Sequence, residues 1–346
     1  MKHIASFAAS VVAAVLALNA YGHHSANAFY DLSRSISVEG LVETVKWSNP
    51  HVAVEILSTD GKGVETLWKV EGDSVNALRR KGVDIESVSV GDRVRVIGAP
   101  SRRGRPEMFA AILYLADGSE VVLLDSVAVD FGILDEGLST GELVTSADEA
   151  ATLEELRNRI FAVWSRSIPE GYPFPPDAGH DFTDVALEAQ AAWDPLTDDP
   201  GLRCEPQGMP GVIVNPYPVE FVADGSDILL KIEEWDAVRS IHMTPERGED
   251  IIATPLGHSV GRWEDEALVV TTTDISWPYY DDIGTPQTDA MVVEERFTLR
   301  ENGTRLDYAQ SAFDPAILNS PAVLNGYFWL EEGTQIEPFN CQVGDQ

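Results

Sequence analysis

Between residues 36 and 124 apolar and polar side chains alternate in short runs broken by turn dipeptides, a pattern that suits half-buried β-strands and that an amphipathic helix cannot satisfy. Val52, Val54 and Ile56 alternate with Ala53, Glu55 and Leu57, Trp68 and Val70 flank Lys69, and Val94 and Val96 alternate with Arg93 and Arg95. Asp60-Gly61 and Asp117-Gly118 are turn dipeptides, and Asp73 stands where it can cap a short helix through Val75 and Leu78 that stops at Gly82. The order is three strands, a helix and two strands. That order predicts an OB-like β-barrel over residues 23–125, with Ser48–His51 and Ser101–Pro106 as loops between strands, against a split β-sandwich as the alternative.

Ahead of this unit, an almost wholly apolar run from Ile4 to Ala20 follows a single lysine, Lys2, as in a signal peptide. Ala20 and Gly22 are small residues three and one positions before the bond to His23, so residues 1–22 are expected to be removed and the protein to be periplasmic or secreted. Cleavage there gives a free amine beside His23 and His24. An α-amine has a pKa of about 8 and imidazoles suit copper, nickel or zinc, so the new terminus is a candidate ligand set.

Residues 126–198 read as a linker and helical segment. Gly132, Gly137 and Gly141 mark a connector; Leu153, Leu156, Ile160 and Val163 recur at helical spacing; a second helical run starts near Thr183 and stops before Pro195. From residue 199 to 346 strands return as an antiparallel meander, including Leu230 to Ile232, Val238 to Met243, Leu268 to Thr273 and Leu306 to Tyr308. Asp224-Gly225 and Asn302-Gly303 look like hairpin turns. The expectation is a mainly β protein: an OB-like small barrel, a short helical segment, and a lipocalin-like antiparallel barrel or sandwich.

The 346 residues carry 24 Lys+Arg against 57 Asp+Glu, a formal charge of -33 that repels nucleic acid and anionic membrane surfaces and attracts cations. No second apolar stretch is long enough to span a bilayer after signal cleavage. The two cysteines, Cys204 and Cys341, bracket the second β region, and in an oxidising compartment they are expected to form a disulfide.

His23-His24-Ser25, then Val38-Glu39-Gly40 and Trp47-Ser48-Asn49-Pro50-His51, resemble a family of uncharacterised exported bacterial proteins whose mature chains begin His-His-Ser and carry Trp-x-Asn-Pro-His. The resemblance covers the first third of the chain. Asp199–Cys204, Pro216-Tyr217-Pro218, Gly257–Glu264 and Leu268-Val269-Val270 resemble a separate uncharacterised secreted β-rich family. Members of that family often carry histidines after the proline matching Pro286; here Gln287 follows, which puts any site built on them in doubt. Neither resemblance implies an activity.

Three constellations carry chemistry. His23, His24 and His51 are the candidate metal ligands: the terminal amine and imidazole of His23 with the imidazole of His51 make a three-nitrogen set for copper. Cleavage one or two bonds earlier would put a histidine third from a free amine, another Cu(II) chelate; the bland reading is a frayed polar terminus and a loop histidine held by Pro50. Gly257-His258-Ser259-Val260-Gly261 matches the nucleophile elbow of serine hydrolases, but a strand is expected after Ser259 where an elbow needs a helix, so a tight β-turn is the preferred reading. The loop from Asp274 to Asp282, with Trp277, Tyr279, Tyr280 and Asp281, is a candidate site for a small apolar or cationic ligand with His242 and His258 in reach, or else a packed lid.

Arg102, Arg103 and Arg105 occupy a loop that contacts nucleic acid in some OB barrels, a role the acidity of this chain opposes. Asn302-Gly303-Thr304 is a glycosylation sequon and also a hairpin turn, and the turn is preferred. These residues point to an exported metal-binding protein, copper first, whose second barrel binds a small ligand. The alternatives are a periplasmic enzyme acting on a small apolar substrate, by histidine-brace oxidation or by hydrolysis at Ser259, and a structural cell-envelope module.

Overall fold

The computed structural model describes residues 26–134, 147–148, 150, 152–165, 180–195, 197–244 and 251–343. A single helical turn, α1 (Ala26–Phe29), leads into β1 (Ile36–Lys46), β2 (Ala53–Thr59), β3 (Glu65–Glu71), helix α2 (Val75–Arg80), β4 (Arg93–Pro100), β5 (Glu107–Leu115), β6 (Glu120–Val122) and helix α3 (Asp125–Asp130). The sheet order is β3-β2-β1-β4-β5-β6, and a parallel pairing of Lys69–Glu71 with Glu107–Phe109 closes the first five strands into the expected OB-like barrel. Its core is the inward half of the alternation, with Val54, Ile56, Val70, Val94, Val96 and Met108 all buried. Gly40 sits where a Cβ would lie 2.4 Å from the Leu57 carbonyl oxygen, so only glycine lets β1 and β2 approach this closely.

Two local expectations shift. The cap of α2 is Ser74, whose side chain accepts from the Ala77 amide at 3.2 Å, and Asp73 instead accepts from the Ser74 amide at 2.8 Å. The helix ends as expected, with Gly82 at a left-handed φ of +74°. The stretch read as a connector begins with α3, whose Val127 and Ala128 pack with Phe29, Tyr30, Ala99 and Phe109 in a small second cluster. Six residues are too few to show a helical period, so this helix leaves no mark on the sequence pattern.

The second unit is a closed barrel of nine strands. Helix α4 (Leu153–Asn158), β7 (Val163–Ser165), helix α5 (Asp184–Ala192) and then β8 (Val219–Asp224), β9 (Asp227–Ile232), β10 (Ala237–His242), β11 (His258–Glu264), β12 (Ala267–Thr273), β13 (Val292–Arg300), β14 (Arg305–Phe313) and β15 (Ala322–Leu330) follow in order. Around the wall they run β10-β11-β12-β13-β14-β15-β7-β8-β9. The helical spacing that includes Val163 is not honoured: α4 stops at Asn158, and Val163–Ser165 forms a strand between β15 and β8, driven by burial of the whole Trp164 side chain. An alternating up-and-down barrel cannot close with an odd number of strands, so one neighbouring pair must be parallel. That pair is β10–β11, joined through Ile241 with Ser259 and His242 with Val260.

Side chains fill the barrel interior. Ile241, Leu268, Val270, Phe297, Tyr308 and Phe328 are all 0–1 % exposed and belong to one continuous core. Through this core runs a polar network: Arg239 Nε donates to Ser259 Oγ at 2.8 Å, its Nη2 donates to Thr272 Oγ1 at 2.6 Å and pairs with Glu295. Tyr308 donates to Glu295 Oε1 at 3.1 Å, and Gln310 donates to the Tyr308 hydroxyl at 2.8 Å and to the Pro210 carbonyl at 3.3 Å. A short turn, Gly211–Ile213, lies buried in the same core. Cys204 and Cys341 form the expected disulfide, with Cα atoms 5.9 Å apart. Among the described residues no helix is long and apolar enough to cross a membrane.

Candidate functional site

The Trp47–His51 loop joins β1 to β2, and its two polar residues beside Pro50 do different work. The Asn49–Pro50 peptide bond is cis; Asn49 points into the protein and His51 toward Gly72. The His51 Nδ1 lies 3.0 Å from the Gly72 carbonyl oxygen. A carbonyl only accepts, so Nδ1 carries a proton and donates to it. A bond of this kind orients the imidazole of a metal-ligating histidine.

The described start of the chain arrives at the same place. The Tyr30 ring stacks on Phe109 with centroids 5.4 Å apart, and the His51 ring meets Phe109 edge-on at 5.8 Å. Tyr30 donates its hydroxyl to Glu71 Oε2 at 2.9 Å, next to the Gly72 carbonyl that holds His51. Burial, with the Glu71 charge adding to it, pushes the Tyr30 phenol well above its ordinary value, so it stays a donor. Lys69 Nζ lies 2.8 Å from Glu71 Oε1 and balances the buried carboxylate. Thus Tyr30, pinned also by its bridge to Ser101, brings the described start of the chain, residues 26–30, to the side of the barrel that carries His51. His23 and His24 lie outside the described residues. Among the described residues no three His, Cys, Asp or Glu side chains are arranged to hold an ion.

Asn49 is buried in the joint between the barrels. Its Oδ1 accepts from the Val75 amide at 2.8 Å, at the start of α2, and its Nδ2 donates to Asn76 Oδ1 at 3.2 Å and to the Phe339 carbonyl. Asn76 Nδ2 reaches the Glu337 and Pro338 carbonyls, each at 3.4 Å, and the Gln342 amide donates to the Asn49 carbonyl at 3.0 Å. Arg80 pairs with Glu233 across the same joint. Sequence reasoning misses the roles of Asn49 and Asn76 because their partners are backbone atoms about 260–290 positions away.

A family of unknown function, DUF6152, matches residues 11–109. The match spans the His-His-Ser and Trp-x-Asn-Pro-His residues and the first barrel into β5, the part of the chain that resembles an uncharacterised family. No curated protein matches the chain.

The candidate residues of the second barrel fall into separate settings. Ser259 faces the filled interior on β11, its hydroxyl 3.0 Å from Thr272 Oγ1 and within reach of Arg239. Strand, not helix, follows it, so the geometry of a nucleophile elbow is missing. His242 and His258 come together across the parallel seam with ring centroids 5.1 Å apart, and His242 Nδ1 lies 2.9 Å from Asp227 Oδ2. Asp227 is held below the ordinary carboxylate range chiefly by the Met243 amide and then by His242. Tyr280 is buried against Phe182 and His180, whose imidazole is pushed down by burial. Trp277 and Tyr279 meet edge-on, and Tyr279 also meets Trp193. Asp281 is raised by burial, and its carboxylate accepts from the Ile283 and Thr285 amides and the Thr285 hydroxyl, which closes its own loop.

The loop arginines and the sequon have structural settings as well. Arg103 lies over the Phe29 ring at 5.1 Å and 3.9 Å from Asp194, while Arg102 donates its backbone amide to the Phe29 carbonyl at 2.8 Å. Arg105 stands 3.9 Å from Glu107. Asn302-Gly303 forms the hairpin between β13 and β14, with Thr304 donating to the Glu301 carbonyl at 3.0 Å.

Proposed function

We propose that the chain is exported, loses residues 1–22, and binds copper through the amine and imidazole of His23 together with His51, with His24 beside them. The observation that carries this reading is the bond from His51 Nδ1 to the Gly72 carbonyl, the kind of backbone bond that orients a metal-ligating imidazole. The packing of Tyr30 and His51 on one Phe109 ring supports it, because His23 is only three residues ahead of Ala26 and three residues of chain span roughly 10 Å. Nitrogen donors place Cu(II) ahead of the other divalent first-row metals, and a charge of -33 concentrates cations at the surface. In this reading His51 and His23 are the ligands; Gly72 and Phe109 orient the His51 ring, and Tyr30 and Glu71 pack beside it. The resemblance of the second half to secreted β-rich proteins fits a periplasmic or secreted location.

A structural cell-envelope module is the second reading, favoured by the filled interior of the nine-strand barrel. A small-ligand role for the second barrel would fall to the half-buried Trp277 and Tyr279, beside Asp281 and the buried Tyr280 in the same loop, or to the His242–His258 pair on β10 and β11. Cu(II) titration of correctly processed protein decides between metal protein and module. Uptake of one ion with nitrogen hyperfine structure is expected; no uptake leaves the structural module.

A further inference from the structure

The loop that carries His51 is held from the other barrel. After β15 the chain runs on without helix or strand as a strap, and two anchors fix it on the second unit. Phe339 is fully buried between Tyr217 and Trp235, with centroids 5.3 and 5.2 Å away, and Cys341 is bonded to Cys204. The Phe339 amide donates to Asp236 Oδ1 at 2.9 Å and the Glu337 amide to Glu233 Oε2 at 3.1 Å. With its inner edge so occupied, the strap turns its carbonyls outward, and the first barrel reads them with Asn49 and Asn76. Asn49 also pairs with Cys341 as a parallel bridge. Only Pro50 separates Asn49 from His51, and its ring fixes one backbone dihedral of that short connection.

We infer that Asn49, gripped by the C-terminal strap of the second barrel, is the positioning residue of the His51 site, so that the two barrels act together in binding the ion. The inference rests on the metal reading for its consequence but not for its structural half. Asn49 supplies two donors to carbonyl oxygens and one acceptor to an amide, and aspartate keeps the acceptor while facing those carbonyls with a carboxylate. Asn49→Asp therefore turns the bond to the Phe339 carbonyl into a repulsion and weakens the grip on the strap, while the bond to the start of α2, the Asn76 bonds to the strap and the backbone carbonyl of residue 49 remain. The Cys204→Ser/Cys341→Ser double variant loosens the outer half of the strap, residues 340–342, while the buried Phe339 keeps the inner half in place.

The test compares processed wild type, Asn49→Asp, the double serine variant and His51→Ala by hydrogen exchange and by Cu(II) titration with electron paramagnetic resonance. Exchange at the Gln342 amide should accelerate in Asn49→Asp while β12–β14 stay protected. Copper affinity of Asn49→Asp should fall about 10- to 100-fold, the range for losing a residue that orients a ligand, with a spectrum shifted toward that of His51→Ala. The double serine variant should fall between. Wild-type affinity and spectrum in Asn49→Asp, with the strap loosened, would overturn the inference and leave the metal reading standing. If wild type takes up no copper, the metal reading fails, and the exchange rate of the Val52 amide then decides: unchanged in Asn49→Asp, the positioning also fails; accelerated, it holds.

Discussion

Replacing Arg239 by methionine should destabilise the second barrel by about 3–5 kcal/mol, the cost of leaving a buried carboxylate without its cation. The magnitude follows from what remains. Ser259 and Thr272 keep each other at 3.0 Å, and Glu295 keeps the Tyr308 hydroxyl at 3.1 Å, so neither hydroxyl of the first pair is orphaned and Glu295 retains one donor. Methionine fills most of the aliphatic volume, so the cavity contribution is small. The loss is therefore almost wholly that of the Glu295 charge, in a core where Arg239 and Glu295 are each 1 % exposed. Adding Glu295→Gln removes that charge and retains an acceptor for Tyr308, so the double variant should recover more than half of the lost stability. The assay is urea unfolding followed by near-ultraviolet circular dichroism, with hydrogen exchange of β12–β14 to assign the transition to this barrel. A single variant within about 1 kcal/mol of wild type, or a double variant no more stable than the single, would refute the dominance of charge pairing here.

Three further outcomes are expected. Burial pushes the Glu234 carboxyl from 4.5 up to about 8, so the folded state keeps a proton that the unfolded state releases; this contribution is full below about pH 4.5 and is lost as pH rises to about 8. Glu234→Gln should flatten the fall in urea midpoint across that window, and an unchanged slope would show that Glu234 is already ionised in the fold. Phe339→Ala should cost about 3–5 kcal/mol by emptying the site between Tyr217 and Trp235, read as a lower thermal midpoint, and a loss under about 1 kcal/mol would show that the disulfide alone holds the strap. A fluorophosphonate probe should leave the protein unlabelled, whereas labelling that disappears in Ser259→Ala would restore the hydrolase alternative.

Alternation and turn chemistry make the first barrel legible because each strand buries one face only, as Val54 and Ile56 between half-buried neighbours show. The cysteine pair is legible for a similar reason: two cysteines leave a single intramolecular pairing. The strand at Val163–Ser165 is not legible, since Leu156, Ile160 and Val163 fit a helical period and only Trp164, drawn into the barrel core, decides otherwise. Nor is the parallel seam, because two residue pairs leave no trace in a sequence. At the site, His51 can be singled out by type, but the carbonyl of Gly72 that orients its ring and the strap that grips Asn49 are backbone partners supplied by the fold.

The claim that His51 and the processed terminus form one copper site is tested most directly by electron paramagnetic resonance of Cu(II) on three proteins: chain beginning at His23, the same chain with one added residue ahead of His23, and His51→Ala. Tight binding with a nitrogen-rich spectrum is expected only for the first. Weaker binding and altered hyperfine splitting are expected for the other two, and release of the ion from the first as pH falls through the imidazole range near about 6.5. Equal affinity and identical spectra for all three would contradict the claim and leave His23 and His51 as ordinary histidines.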